Sequence, residues 1–130
     1  MRLMSKEWAE AYMKAWNSDE IITKKLKRFS SVFQYSISDR KDITPLIMKI
    51  EKGLCVGYET TENFNKKEIE YQISSDSKNW QKIFDKNVTL EEVMDIEGFE
   101  FKGPKLKALS NMSGLKRGVE LMSQMDGITI

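Results

Sequence analysis

Two stretches decide the reading of this chain: Lys78-Asn79-Trp80-Gln81-Lys82-Ile83-Phe84 and, after a short gap, Gly98-Phe99-Glu100-Phe101-Lys102-Gly103. The first sets Trp80, Ile83 and Phe84 at three- and four-residue steps behind Asp76 or Ser77. Either residue can cap a helix over Lys78 to Asp85. The second alternates, with both rings on one face, and reads as a short strand. Between them Thr89 and Glu92 have capping-box spacing, and Leu90, Val93 and Met94 give a second short helix an apolar stripe, which Gly98 ends. Each element has one apolar side that must be covered by the flanking chain.

Upstream, Ser5 can cap a helix in which Trp8, Ala11, Tyr12, Ala15 and Trp16 form one stripe. Asn17-Ser18-Asp19 interrupts it, and a shorter helix runs from Glu20 to Arg28, its Lys24, Lys25, Lys27 and Arg28 complementing the macrodipole. From Val32 the period becomes two, with Phe33, Tyr35 and Ile37 on one side. A second strand spans Leu46 to Glu51, Lys52-Gly53 is a tight turn, and Leu54, Val56 and Tyr58 continue the alternation. Ile69, Tyr71 and Ile73 mark a fourth strand. Short connections between these strands predict antiparallel pairing, with one face wet and one buried. Downstream, Pro104 to Met125 reads as helix with a break near Asn111-Met112-Ser113-Gly114, and Gly114 and Gly118 weaken its middle.

Composition prunes the function classes. The 130 residues are 40% hydrophobic and 32% charged, with 21 Lys+Arg against 20 Asp+Glu, as in a globular protein without polyelectrolyte character. The zero histidines exclude Ser-His-Asp and Cys-His nucleophilic mechanisms and histidine metal sites. One cysteine, Cys55, neither bridges within the chain nor builds a thiolate cluster, and it fits a reducing compartment. No apolar run approaches the roughly 20 residues of a membrane span, and residues 1–8 do not read as a signal peptide. Binding is therefore expected in preference to catalysis, in a cytoplasmic protein.

The order helix, four strands, two short helices, strand and C-terminal helix resembles the sterol carrier protein type 2 (SCP-2) family in a stand-alone form. The Trp80 helix, the Gly98 to Gly103 strand and the leucine- and methionine-rich end carry that resemblance from Trp8 to Met125. Trp80 matches the family's tryptophan in the short helix, and Gly103 the glycine after the last strand. The turn Asp85-Lys86-Asn87 differs in having no glycine. The terminal Gly127-Ile128-Thr129-Ile130 is not a Ser-Lys-Leu-like peroxisomal address. The resemblance implies an α+β fold over residues 1–130, one domain, with a five-stranded, mostly antiparallel sheet covered on one face by helices. It also implies an apolar tunnel holding fatty acyl chains, acyl-CoA, phospholipids or sterols, with no cofactor, no metal and no catalytic residue.

On this reading the ligand-binding candidates are Phe99 and Phe101, which face the last helix, with Met94, Leu109, Met112, Leu115, Val119, Met122, Tyr71 and Trp80. Methionines, unbranched and polarizable, suit a deformable wall. Between Phe101 and Val119 the chain carries Lys102, Lys105, Lys107, Lys116 and Arg117 and no acid. These are candidates for a ligand head group or an anionic membrane surface. The competing reading pairs them with the neighbouring acids Asp85, Glu91, Glu92, Asp95, Glu97 and Glu100. Cys55 reads as a small packed residue, and Glu91, Glu92 and Asp95 as first-turn acids of a helix in preference to a carboxylate pair for glycoside chemistry. An accessory or scaffold protein, its cavity filled by side chains, is the alternative function. Nucleic-acid binding through Lys24 to Arg28 and Lys102 to Arg117 is disfavoured by the near-zero net charge.

Overall fold

The computed structural model describes residues 1–86 and 89–130. Asn87 and Val88, and with them part of the glycine-free turn after Asp85, lie outside the described residues, as do the side chains of Asn63, Lys86 and Leu90.

The first helix, α1 (Lys6–Ser18), starts where Ser5 Oγ accepts from the Trp8 N–H at 3.1 Å. Its stripe buries Trp8, Tyr12 and Trp16, stacked and edge-on at centroid distances of 5.1 and 5.9 Å. Asp19 then caps α2 (Glu20–Lys25), its carboxylate accepting from the Ile22 N–H at 3.0 Å. The second helix therefore stops earlier than the sequence pattern suggests, with Lys24 and Lys25 in its last turn.

Five strands follow: β1 (Ser31–Ile37), β2 (Leu46–Glu51), β3 (Leu54–Thr60), β4 (Tyr71–Ser75) and β5 (Glu100–Lys102). They form one sheet in the order β3-β2-β1-β4-β5. β2 pairs antiparallel with β1 and β3, and β5 with β4, but β4 lies parallel to β1, Phe33 beside Tyr71 and Tyr35 beside Ile73. The sheet is mostly antiparallel, as expected. The wholly antiparallel pairing of the first four strands is corrected: the chain crosses from one edge of the sheet to the far side of β1 before laying down β4.

β3 corrects a second expectation. Lys49 faces Gly57 while Ile50 faces Cys55, so Val56 is left over as a bulge. A bulge moves the side-chain phase by one. Cys55 is therefore buried beneath the helices and Tyr58 is partly so, while Leu54 and Val56 point outward. The Tyr58 hydroxyl reaches Glu10 at 2.7 Å, and the Asn17 side chain both donates to the Cys55 carbonyl and accepts from its N–H, each at 2.8 Å. Asn17, which reads as a helix terminator, thus fastens α1 to the start of β3.

Helix α3 (Ser77–Lys86) is capped by Asp76, which accepts from the Asn79 N–H at 2.8 Å. Asn79 donates to Ser75 Oγ and the Glu97 carbonyl, both at 2.9 Å, tying α3 to the segment beyond α4 (Leu90–Met94). Thr89 caps α4 as its spacing predicts, accepting from the Glu92 N–H at 3.2 Å. The last segment divides at Asn111 into α5 (Lys105–Ser110) and α6 (Met112–Ser123), close to the expected break. Gly114 and Gly118 on α6 are points of close approach: a Cβ at Gly114 would lie 2.4 Å from Leu26, and one at Gly118 3.0 Å from the Trp16 ring. The glycines that weaken α6 as an isolated helix let it press onto α1 and α2. Finally, Thr129 bridges Arg2, and the Leu3 N–H donates to the Thr129 carbonyl at 2.8 Å.

Candidate functional site

The helical layer does not fill the space above the sheet. A cavity of about 410 Å³ lies between β1, β4 and β5 on one side and α1, α3, α4, α5 and α6 on the other. That volume falls in the range of small-molecule sites, roughly 300–1,000 Å³. Its floor carries Phe33, Tyr35, Tyr71, Ile73 and Phe101, and its roof Met112, Leu115, Val119 and Met122. The lining is almost wholly apolar, so water inside gains few hydrogen bonds and an alkyl chain can displace it.

Aromatic packing holds the walls. Trp80 Nε1 donates to the Ser36 carbonyl at 2.9 Å, which fixes the indole across β1. Its ring meets Tyr35 at 6.3 Å and Phe99 at 5.3 Å, and Phe99 stacks on Phe101 at 6.0 Å. The Tyr71 hydroxyl donates to the Pro104 carbonyl at 2.7 Å, and Gly103 lies against the Tyr71 ring. A Cβ on Gly103 would come within 2.3 Å of that ring and 2.8 Å of the Glu70 carbonyl, which requires glycine there.

All ten apolar candidates, Tyr71, Trp80, Met94, Phe99, Phe101, Leu109, Met112, Leu115, Val119 and Met122, fall on the wall of this one cavity. The basic candidates divide. Lys102 and Lys105 stand on the cavity rim. Lys107 is held by Glu70 at 2.6 Å and the Ser30 carbonyl at 2.7 Å, with its ammonium over the Phe29 ring. Burial works against the Glu70 charge, but hydrogen bonds from Lys107 and Ser31 outweigh it and hold its carboxyl below the usual range. Lys116 pairs with Glu91. Arg117 grips Asp19 through two 3.0 Å bonds and also reaches Glu120. That fork holds the Asp19 carboxyl below its ordinary value and ties α6 to the α1–α2 junction. Three of the five cations are thus engaged in pairs that brace the fold.

Sequence reasoning placed Tyr12, Trp16, Phe33, Tyr35, Ile83 and Val93 in the core or left them unassigned, yet they too face the cavity. Nothing in a hydrophobic period separates a side chain that meets a neighbour from one that meets a void. Two hydroxyls sit among them: Tyr12 donates to the Gly118 carbonyl at 2.8 Å, and burial raises the pKa of both Tyr12 and Tyr35. Cys55 is buried, and desolvation pushes its thiol up to about 11, away from nucleophilic chemistry. Among the described residues no cluster of Cys, Asp or Glu could hold a metal, and no helix is long and apolar enough to cross a membrane.

The sheet and its helical cover have the sterol carrier protein 2 fold. A crystal structure of sterol carrier protein 2 superposes with a TM-score of 0.77, covering 95% of this chain and 98% of that one at 18% identity. The solution structure of a conserved hypothetical protein from Thermus thermophilus gives 0.73, over 94% and 87% of the two chains at 16% identity. The UbiJ-SCP2 ubiquinone synthesis protein gives 0.54, over 85% and 90% at 11% identity. No protein-family model and no curated protein matches the sequence. These likenesses establish the fold; function rests on the cavity.

Proposed function

We propose that residues 1–130 act as one lipid-binding unit that carries a single hydrophobic chain in the cavity, without covalent chemistry. The observation that carries this reading is the apolar hollow of about 410 Å³ itself. Burying a methylene yields about 0.8 kcal/mol, so a dozen give roughly 10 kcal/mol of gross driving force. That offsets the cost of association and of ordering the chain. Lys102 and Lys105 suit the carboxylate or phosphate of a ligand whose tail lies inside. Fatty acids and acyl-CoA fit this description, a phospholipid fits it with one of its two chains inside, and a sterol nucleus fits the apolar walls but uses the lysines less.

A non-catalytic role agrees with the absence of histidine and the raised Cys55 thiol. An accessory role is the second reading, favoured by the likeness to the UbiJ-SCP2 ubiquinone synthesis protein. In that case the same hollow holds a hydrophobic substrate for an enzyme. The version in which side chains fill the interior is at odds with the open cavity.

Native mass spectrometry of protein purified from cells tests the carrier reading. Adducts with the masses of fatty acids or phospholipids are expected. An empty protein that also fails to take up a fluorescent fatty acid refutes it.

A further inference from the structure

Among the described residues seven large apolar side chains are exposed, and four of them, Met94, Phe101, Leu106 and Leu109, lie on the cavity lining or on α5 beside it. Leu106 on α5 is 81% exposed, Leu109 64% and Phe101 37%. Leu106 and Leu109 are three apart on one helix and therefore adjacent on its surface. Leu109 and Phe101 also line the cavity, so the outer patch and the inner wall are continuous. Such a patch, rimmed by polar groups, is an interaction surface in preference to ordinary exterior.

The charge beside it selects the partner. Lys107, Lys116 and Arg117 are neutralised by Glu70, Glu91 and Asp19. Lys105, on the same helix as the two leucines, forms no ion pair among the described residues, and Lys102 is well exposed with only a 3.8 Å contact to Glu100. Exposed leucines flanked by the unpaired Lys105 and the loosely paired, well-exposed Lys102 match the boundary of an anionic bilayer, where acyl chains lie under negative head groups.

We infer that α5 and the end of β5 form a docking surface for anionic membranes, with Leu106 and Leu109 entering the acyl boundary and Lys102 and Lys105 meeting the head groups. The inference rests on the proposed lipid-carrying role in one respect: docking here places the cavity mouth against the source of its ligand. Leu106 itself does not line the cavity. It therefore separates docking from loading.

The test is sedimentation with phosphatidylserine-containing and pure phosphatidylcholine vesicles, run beside fluorescent fatty-acid uptake in vesicle-free solution. The protein is expected to partition onto the anionic vesicles and to release with salt. Leu106→Glu is expected to lower partitioning at least tenfold, the order of a lost leucine burial, with fatty-acid uptake unchanged. Leu106→Trp introduces an indole at a boundary that favours it. Since Trp8, Trp16 and Trp80 are all buried, a blue shift of its emission on vesicles reports insertion. Failure to bind anionic vesicles, or binding that Leu106→Glu leaves intact, overturns the inference. So does a solution dimer abolished by Leu106→Glu in a protein that ignores vesicles. Vesicle binding lost on Leu106→Glu in a protein that takes up no fatty acid supports the docking surface and refutes the carrier reading alone.

Discussion

Replacing Val119 by phenylalanine tests whether the hollow sets ligand length. Val119 lies on α6 between Leu115 and Met122, three to four residues from each, and all three face the cavity. Val119→Phe adds about four carbon atoms to the wall and so excludes about as many methylenes of a bound chain. At ~0.8 kcal/mol each this removes ~3 kcal/mol, roughly a 200-fold loss of affinity for a chain that fills the space. A chain too short to reach that wall loses nothing. Displacement of a fluorescent fatty acid by saturated acids of increasing length gives the two affinities, and thermal unfolding of the empty protein controls for the fold. Palmitate is expected to weaken strongly, octanoate to hold, and stability to be kept or raised as the void fills. Equal affinity for palmitate in the variant and the parent would refute the assignment of this wall. An equal loss for both acids, with a lowered melting point, would refute it as well.

Two further outcomes concern α6. Gly114→Ala is expected to destabilise by about 1–3 kcal/mol in urea unfolding, because its Cβ meets the fully buried Leu26 and overpacking outweighs the gain in helix propensity. Gly57→Ala, with no atom near its added Cβ, is the neutral control. Arg117→Ala should cost about 2 kcal/mol at neutral pH, as the forked, charge-assisted bonds to Asp19 are lost. The Asp19 pKa is lowered in the fold, first by its bond to Arg117, so this contribution is complete above the unfolded carboxylate value near 3.9 and fades as pH falls through the folded one. The gap between parent and variant melting points should therefore be wide at neutral pH and narrow in acid; a constant gap contradicts the pairing.

Local chemistry was legible where it is local. Ser5, Thr89 and the break at Asn111 follow from capping preference and helix propensity over a few residues. The alternation of Phe33, Tyr35 and Ile37 stated which face of β1 is covered. What failed depends on distant partners. The parallel pairing of β1 with β4 is a contact between segments dozens of residues apart, and no turn residue announces it. Strict alternation across Leu54, Val56 and Tyr58 concealed a bulge whose one sign is Gly57, which carries no side chain to betray its face. The same holds for the cations: Lys107 and Arg117 read either as head-group contacts or as partners of the acids between Asp85 and Glu100, and their actual partners, Glu70 and Asp19, come from elsewhere in the chain. The cavity candidates came from the family resemblance and from helical spacing, and those tell which side of α6 faces inward. Whether that side meets a neighbour or an empty space depends on how far α6 is held from the sheet.

The bulge in β3 has a bearing on solubility. β3 is an outermost strand of the sheet, seven residues long, and it displays Leu54 and Val56 on its outer side. A straight strand of that kind is a template on which another molecule's backbone can zip, the first step toward insoluble fibrils. The extra residue at Val56 kinks this border and breaks the even ladder of amides along it. This irregularity supplies a safeguard at the border where self-adhesion would begin.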